Sequence, residues 1–110
     1  MTWIIAYYSE AVQVWTDNLP VGIRAMYTRI TECMMVSWLN LVMPYTRALG
    51  DDLFEIRVKG KEGIARVFYC TIVGNTIIML HGFVKKTQKT PPRELETARG
   101  RLQELSNEDA

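Results

Sequence analysis

The stretch Leu53-Phe54-Glu55-Ile56-Arg57-Val58-Lys59 alternates apolar and charged residues. A period of two gives one inward face and one charged face only in an extended strand. Phe54, Ile56 and Val58 share the inward face, and Glu55, Arg57 and Lys59 share the other. Gly60 to Gly63, carrying Lys61, reads as a hairpin loop, and Ile64 to Val73 as the partner strand. Gly74-Asn75 fits a two-residue turn into a third strand, Thr76 to Phe83. An antiparallel meander is the expectation, and the rest of the chain must attach to it.

Upstream of Gly50-Asp51-Asp52 the pattern is different. Trp3 to Tyr8 is a short aromatic and β-branched run that reads as a strand, and Ser9 can cap a helix beginning at Glu10. Asn18-Leu19-Pro20 interrupts that helix, and Pro20 can open the next, where Ile23, Met26, Ile30, Cys33 and Met34 recur at helical spacing. Pro44 ends whatever carries the apolar Met34–Met43 run. Downstream, Thr90 precedes Pro91 as a helix start, and Leu95, Ala98, Leu102 and Leu105 make a narrow apolar stripe that Gly100 weakens. The predicted class is α+β: an N-terminal strand and helical hairpin packed on a twisted antiparallel sheet of about four strands, with a C-terminal helix.

With 110 residues and 48% hydrophobic side chains, the chain suits one core and is too apolar for intrinsic disorder. A single domain over residues 1–105 is expected, followed by a polar tail, 106–110, that frays. The longest apolar run, Met34 to Met43, is interrupted by Ser37 and Asn40. It falls short of the roughly 20 residues that span a bilayer. No basic n-region or Ala-x-Ala-like site marks the N-terminus for secretion, so a cytoplasmic location is expected. Cys33 and Cys70 lie in apolar patterns and read as small core residues. With one histidine in the chain they suggest no metal site.

Thirteen basic and twelve acidic residues leave a net charge of +1. The basic residues are nevertheless concentrated. From Arg57 to Arg93 stand Arg57, Lys59, Lys61, Arg66, Lys85, Lys86, Lys89 and Arg93 against one acid, Glu62. A polyanion is the simplest partner for such a segment. The alternative is a set of ordinary solvated surface charges. The meander would bring Arg57 and Lys59, Arg66, and the lysines leaving the third strand within reach of one another, forming a cationic cleft.

Three segments carry a family resemblance: Leu49-Gly-Asp-Asp-Leu-Phe-Glu-Ile-Arg57, Gly63-Ile-Ala-Arg-Val-Phe-Tyr69, and Leu80-His-Gly-Phe-Val-Lys-Lys-Thr-Gln-Lys-Thr-Pro-Pro92 with Arg93-Glu94-Leu95. Together they resemble the phage-derived, HigB-like branch of the RelE/ParE toxin superfamily, over residues 44–105. The resemblance implies a toxin encoded beside an antitoxin that commonly carries a helix-turn-helix domain. It also implies mRNA cleavage in the ribosomal decoding site, without a cofactor. Arg66 aligns with an arginine of that superfamily's active centre.

The residue types suit this chemistry. When a 2′-hydroxyl attacks the adjacent phosphate, a base must take its proton, cations must hold the gathering negative charge, and an acid must protonate the leaving 5′-oxygen. Arg57 and Arg66 suit the second task, because a guanidinium stays charged and holds two phosphate oxygens. For each arginine the structural alternative is a salt bridge with Glu55 or Asp52. Lys85 or Lys86 could serve as base if neighbouring cations lower its pKa; in an extended segment the two point opposite ways. Lys59, Lys61 and Lys89 would hold the RNA or ribosomal backbone.

His81 is a second-tier acid or base. In Thr76 to Phe83 it shares a face with Ile77, Met79 and Phe83, at the strand's end, where a core-supporting role is favoured. Tyr69 could stack on a base, with packing the favoured alternative. Ala65 stands where many relatives carry a tyrosine, removing a ring that could stack on RNA. The Met34–Met43 run reads as core, or else as a patch covered by a second copy of the chain or by the antitoxin. Three function classes follow: a ribosome-dependent endoribonuclease, a non-enzymatic ParE-like toxin binding gyrase, and an inactive nucleic-acid-binding relative.

Overall fold

The computed structural model describes residues 3–37, 46–85 and 91–108. Along the chain run β1 (Ile4–Tyr7), α1 (Glu10–Asp17), α2 (Val21–Ser37), β2 (Thr46–Gly50), β3 (Leu53–Gly60), β4 (Gly63–Val73), β5 (Thr76–Lys85) and α3 (Pro92–Glu108). The α+β class, the helical hairpin and the meander are as expected, but the sheet is larger and mixed. Its order is β1-β5-β4-β3-β2, with β1 parallel to β5 and the other pairings antiparallel. The additional strand, β2, is an edge strand with an exposed Arg47 and Ala48. Such a strand leans on one neighbour for its hydrogen bonds and needs no apolar alternation of its own.

Local chemistry sets the element ends. The Ser9 hydroxyl accepts from the Val12 N–H at 3.3 Å and caps α1. Gly50, Asp51 and Asp52 all take positive φ (93°, 54° and 67°) in the β2–β3 turn. Glycine and, less readily, aspartate tolerate that region. α3 begins at Pro92, whose missing N–H costs nothing in a first turn, and it runs on past Leu105 to Glu108. The expected Thr90 cap and the Pro44 stop lie outside the described residues.

The sheet buries both faces. Under α1 and α2 lie Ile56, Val58, Ala65, Val67, Ile77 and Met79, packed on Ile23, Tyr27, Ile30 and Met34. Under α3 lie Leu53, Phe68, Cys70 and Leu80, packed on Ala98 and Leu102. Gly60 lets β3 touch α2, since a Cβ there would stand 2.6 Å from the Ile23 nitrogen. Cys70 is buried as expected, but Cys33 is exposed, a correction to its reading as core. The inward stripe of α2 is Ile23, Tyr27, Ile30 and Met34, and position 33 falls a helical step off it. Of the Met34–Met43 run, Met34 is buried and Val36 is 76% exposed, while residues 38–43 lie outside the described residues. No helix among the described residues is long and apolar enough to cross a membrane.

Candidate nucleic-acid interface

α3 covers only one end of its sheet face. Its first turn reaches His81, through Glu94, and Arg99 donates to the Leu49 carbonyl at 3.0 Å. Beyond it the same face continues as Arg57 and Lys59 on β3, Arg66 on β4 and Lys85 on β5. Register makes this a shared face: Arg57 stands opposite Arg66, Lys59 opposite Ile64, and Ile64 opposite Lys85. Side chains directly opposite one another in an antiparallel pair project the same way. Arg57 and Lys59 are exposed and Lys85 is half-buried. The described basic residues of all three segments thus meet on one surface, whereas Lys86 and Lys89 lie outside the described residues.

Arg66 is held differently from the rest. It is 7% exposed and its Nη1 donates to Glu55 Oε1 at 2.6 Å, with Glu55 itself 3% exposed. The expected alternative of a salt bridge therefore applies to Arg66, and Glu55 is its partner. Within the described structure, Glu55 Oε2 and Arg66 Nε have no hydrogen-bond partner. Arg47 approaches the same Glu55 oxygen at 3.7 Å from β2. Neither Glu55 nor Arg47 was assigned to the site from sequence. Glu55 carried a signal, being on the charged face of the alternating run; Arg47 carried none, because β2 has no pattern to place it.

The Lys85 ammonium is held below its usual pKa. Partial loss of hydration is the largest cause, followed by the positive charges of Arg66 and Arg57, with Glu55 opposing. A lysine so placed gives up its proton more readily than an isolated one.

His81 does not share the face of Ile77 and Met79. A bulge in the β4–β5 register pairs Tyr69 with Met79 but Phe68 with His81, so an extra residue on β5 shifts the alternation. His81 therefore lies on the Arg66 side, its ring parallel to Phe68 with centroids 6.4 Å apart. Its Nε2 is 3.2 Å from Glu94 Oε2 at the start of α3. Tyr69 is 1% exposed and stacks on Phe54 at 5.4 Å, under α1 and α2. It is a core residue and out of reach of a base, which corrects its assignment to RNA binding. Ala65 is buried on the same side, so a ring at that position would face the core and not RNA.

Lys61 is exposed in the β3–β4 turn beside Glu62. That glutamate, the lone acid of the basic segment, turns to the opposite side of the sheet. It accepts from the Gly22 N–H at 2.8 Å and the Ile23 N–H at 3.1 Å, closing the start of α2. These backbone bonds hold its carboxyl below the ordinary glutamate range.

Among the described residues no cluster of His, Cys, Asp and Glu could hold a metal ion. A search of curated proteins finds no match. Residues 14–103 match the phage-derived Gp49-like protein family (DUF891), from α1 through most of α3 and including every cation of the shared face. A match over that much of the chain shows that the protein belongs to the phage-derived Gp49-like family.

Proposed function

We propose that the protein is the toxin of a type II toxin–antitoxin system, a RelE/HigB-like endoribonuclease that cuts mRNA on the ribosome in the cytoplasm. Its activity would be blocked when a helix-turn-helix antitoxin covers the cationic face. The observation that carries this reading is the meeting of Arg57, Arg66 and Lys85 on one surface, with the Lys85 pKa lowered by partial loss of hydration and by the two arginines. Membership of a phage-derived family agrees with a toxin of this kind.

In the proposed reaction Lys85, as the free amine, takes the proton of the 2′-hydroxyl while the 2′-oxygen bonds to phosphorus. The bond to the 5′-oxygen breaks, that oxygen takes a proton from water, and the upstream fragment ends in a 2′,3′-cyclic phosphate while the downstream fragment begins with a 5′-hydroxyl. Arg57, exposed, presents its fork to the non-bridging oxygens. Arg66 acts from behind, adding positive potential from a fixed position where little reorganisation is needed. His81 is close to this face but engaged with Glu94 and remains second to Lys85.

The test is transcript cutting in a translating extract. Site-specific cuts that disappear in Arg57→Ala and Lys85→Ala, both with wild-type circular dichroism, are expected. Intact transcripts accompanied by gyrase-linked DNA damage would replace this reading with the non-enzymatic one.

A further inference from the structure

The open cationic face offers a polyanion two directions. Along the β3–β4 hairpin lie Arg57, Lys59 and then Lys61. Across the strands lie Lys85 on β5, Arg66 on β4, Arg57 on β3 and Arg47 on β2. In the second row Arg66 is opposite Arg57, Lys85 is two residues from Arg66's partner Phe83, and Arg47 is opposite Glu55, two residues from Arg57. At about 4.8 Å per strand and about 3.3 Å per residue along them, the row is oblique and spans roughly 20 Å.

The first direction runs into an obstacle. At the hairpin tip Lys61 adjoins the Glu62 carboxylate, which is committed to the start of α2 on the other side of the sheet. A phosphate chain following the hairpin would leave the face and meet a fixed negative charge. The second direction meets none that is uncompensated, because Glu55 is buried and bound by Arg66. Arg47 is 57% exposed on its side chain, and its 3.7 Å approach to Glu55 is beyond hydrogen-bond reach. Its guanidinium fork is therefore held over the face by charge while its donors can serve a ligand. It also contributes to the field that lowers the Lys85 pKa.

We propose that Arg47 is a further RNA-backbone contact and that single-stranded RNA crosses the sheet obliquely to the strands, from Lys85 past Arg57 to Arg47. The inference rests on the endoribonuclease reading for its ligand, and it names the path of that ligand. Arg47 takes the phosphate on the far side of Arg57 from Lys85, so it contributes to binding and not to bond breaking.

The experiment is titration of a fluorescent single-stranded RNA oligonucleotide with the full chain at several salt concentrations, alongside cleavage in translating extract. Arg47→Ala is expected to weaken binding about tenfold and to lower the salt slope by about 0.7. The concentration for half-maximal cleavage should rise, with the maximal rate kept. Arg47→Lys should restore the slope, and Lys61→Ala should weaken binding less than Arg47→Ala. Wild-type affinity and slope in Arg47→Ala, or an equal loss in Lys61→Ala, would overturn the cross-sheet path. Wild-type protein without affinity for the oligonucleotide would overturn it as well. Arg47-dependent binding without cleavage would uphold the path while removing the enzymatic reading.

Discussion

Arg66 Nη1 and Glu55 Oε1 stand 2.6 Å apart on neighbouring strands, both side chains almost wholly buried at the edge of an otherwise open cationic face. A pair in this position fixes one arginine so that its more exposed neighbours, Arg57 and Lys85, work against a stationary charge. Desolvating two ions is expensive, and their attraction offsets that cost only while both remain.

Removing one partner should therefore be worse than removing both. Glu55→Leu is expected to destabilise the protein by about 3–5 kcal/mol, because it strands the Arg66 charge in a buried site. The double variant Glu55→Leu/Arg66→Met should recover most of that loss in urea denaturation, yet remain inactive in transcript cutting. Comparable stability of the single and double variants would show that the pair is not coupled.

The Glu62 cap makes a prediction with a defined sign. Its folded carboxyl titrates below the ordinary glutamate value of 4.5, so its contribution is complete above that pH and is lost as pH falls through the lower folded value. Glu62→Gln should lower the melting temperature at neutral pH, and the two melting curves should converge in acid. A pH-independent gap between the variants would assign the effect to packing.

For Lys85 the pH–rate profile is diagnostic. Cleavage should rise with pH through an inflection below the ordinary lysine value of 10.5, as the free amine forms. In Arg57→Ala, where cutting is lost, the Lys85 titration followed by NMR should move up, since one of the cations depressing it is gone. Lys85→Arg should keep RNA affinity and lose roughly 100-fold or more in rate, because a guanidinium cannot act as the base.

Gly82 lies under the Trp15 ring, and a Cβ there would overlap it. Gly82→Ala should cost about 1–3 kcal/mol by forcing the indole away from β5. A change in tryptophan emission together with a lowered urea midpoint would register it.

Residues whose role follows from near neighbours in the chain were legible without the fold. The alternation from Leu53 to Lys59 announced β3 and its charged face, and Ser9 announced the start of α1. The apolar stripe of α3 likewise announced a buried helix face, which the structure packs on Phe68 and Leu80. In each case the information is a period or a cap, and local sterics and hydrogen bonding read it directly. The common face of Arg57, Arg66 and Lys85 was also legible, because a meander with short turns leaves little freedom of register.

What tertiary structure alone decided were the facts that depend on a partner far along the chain. β1 lies parallel beside β5, and β2 exists because β3 offers it an edge. An irregularity at Phe68 and Tyr69 moves His81 to the opposite face from the one that strict alternation assigns. Arg66 is bound to Glu55, and Glu62 leaves its basic neighbours to accept from the Gly22 N–H, 40 residues earlier, at the start of α2. The reason is common to all of these. Sequence spacing determines which way a side chain points within its own element, but burial, register slips and ion pairing are set by what the other elements place opposite it.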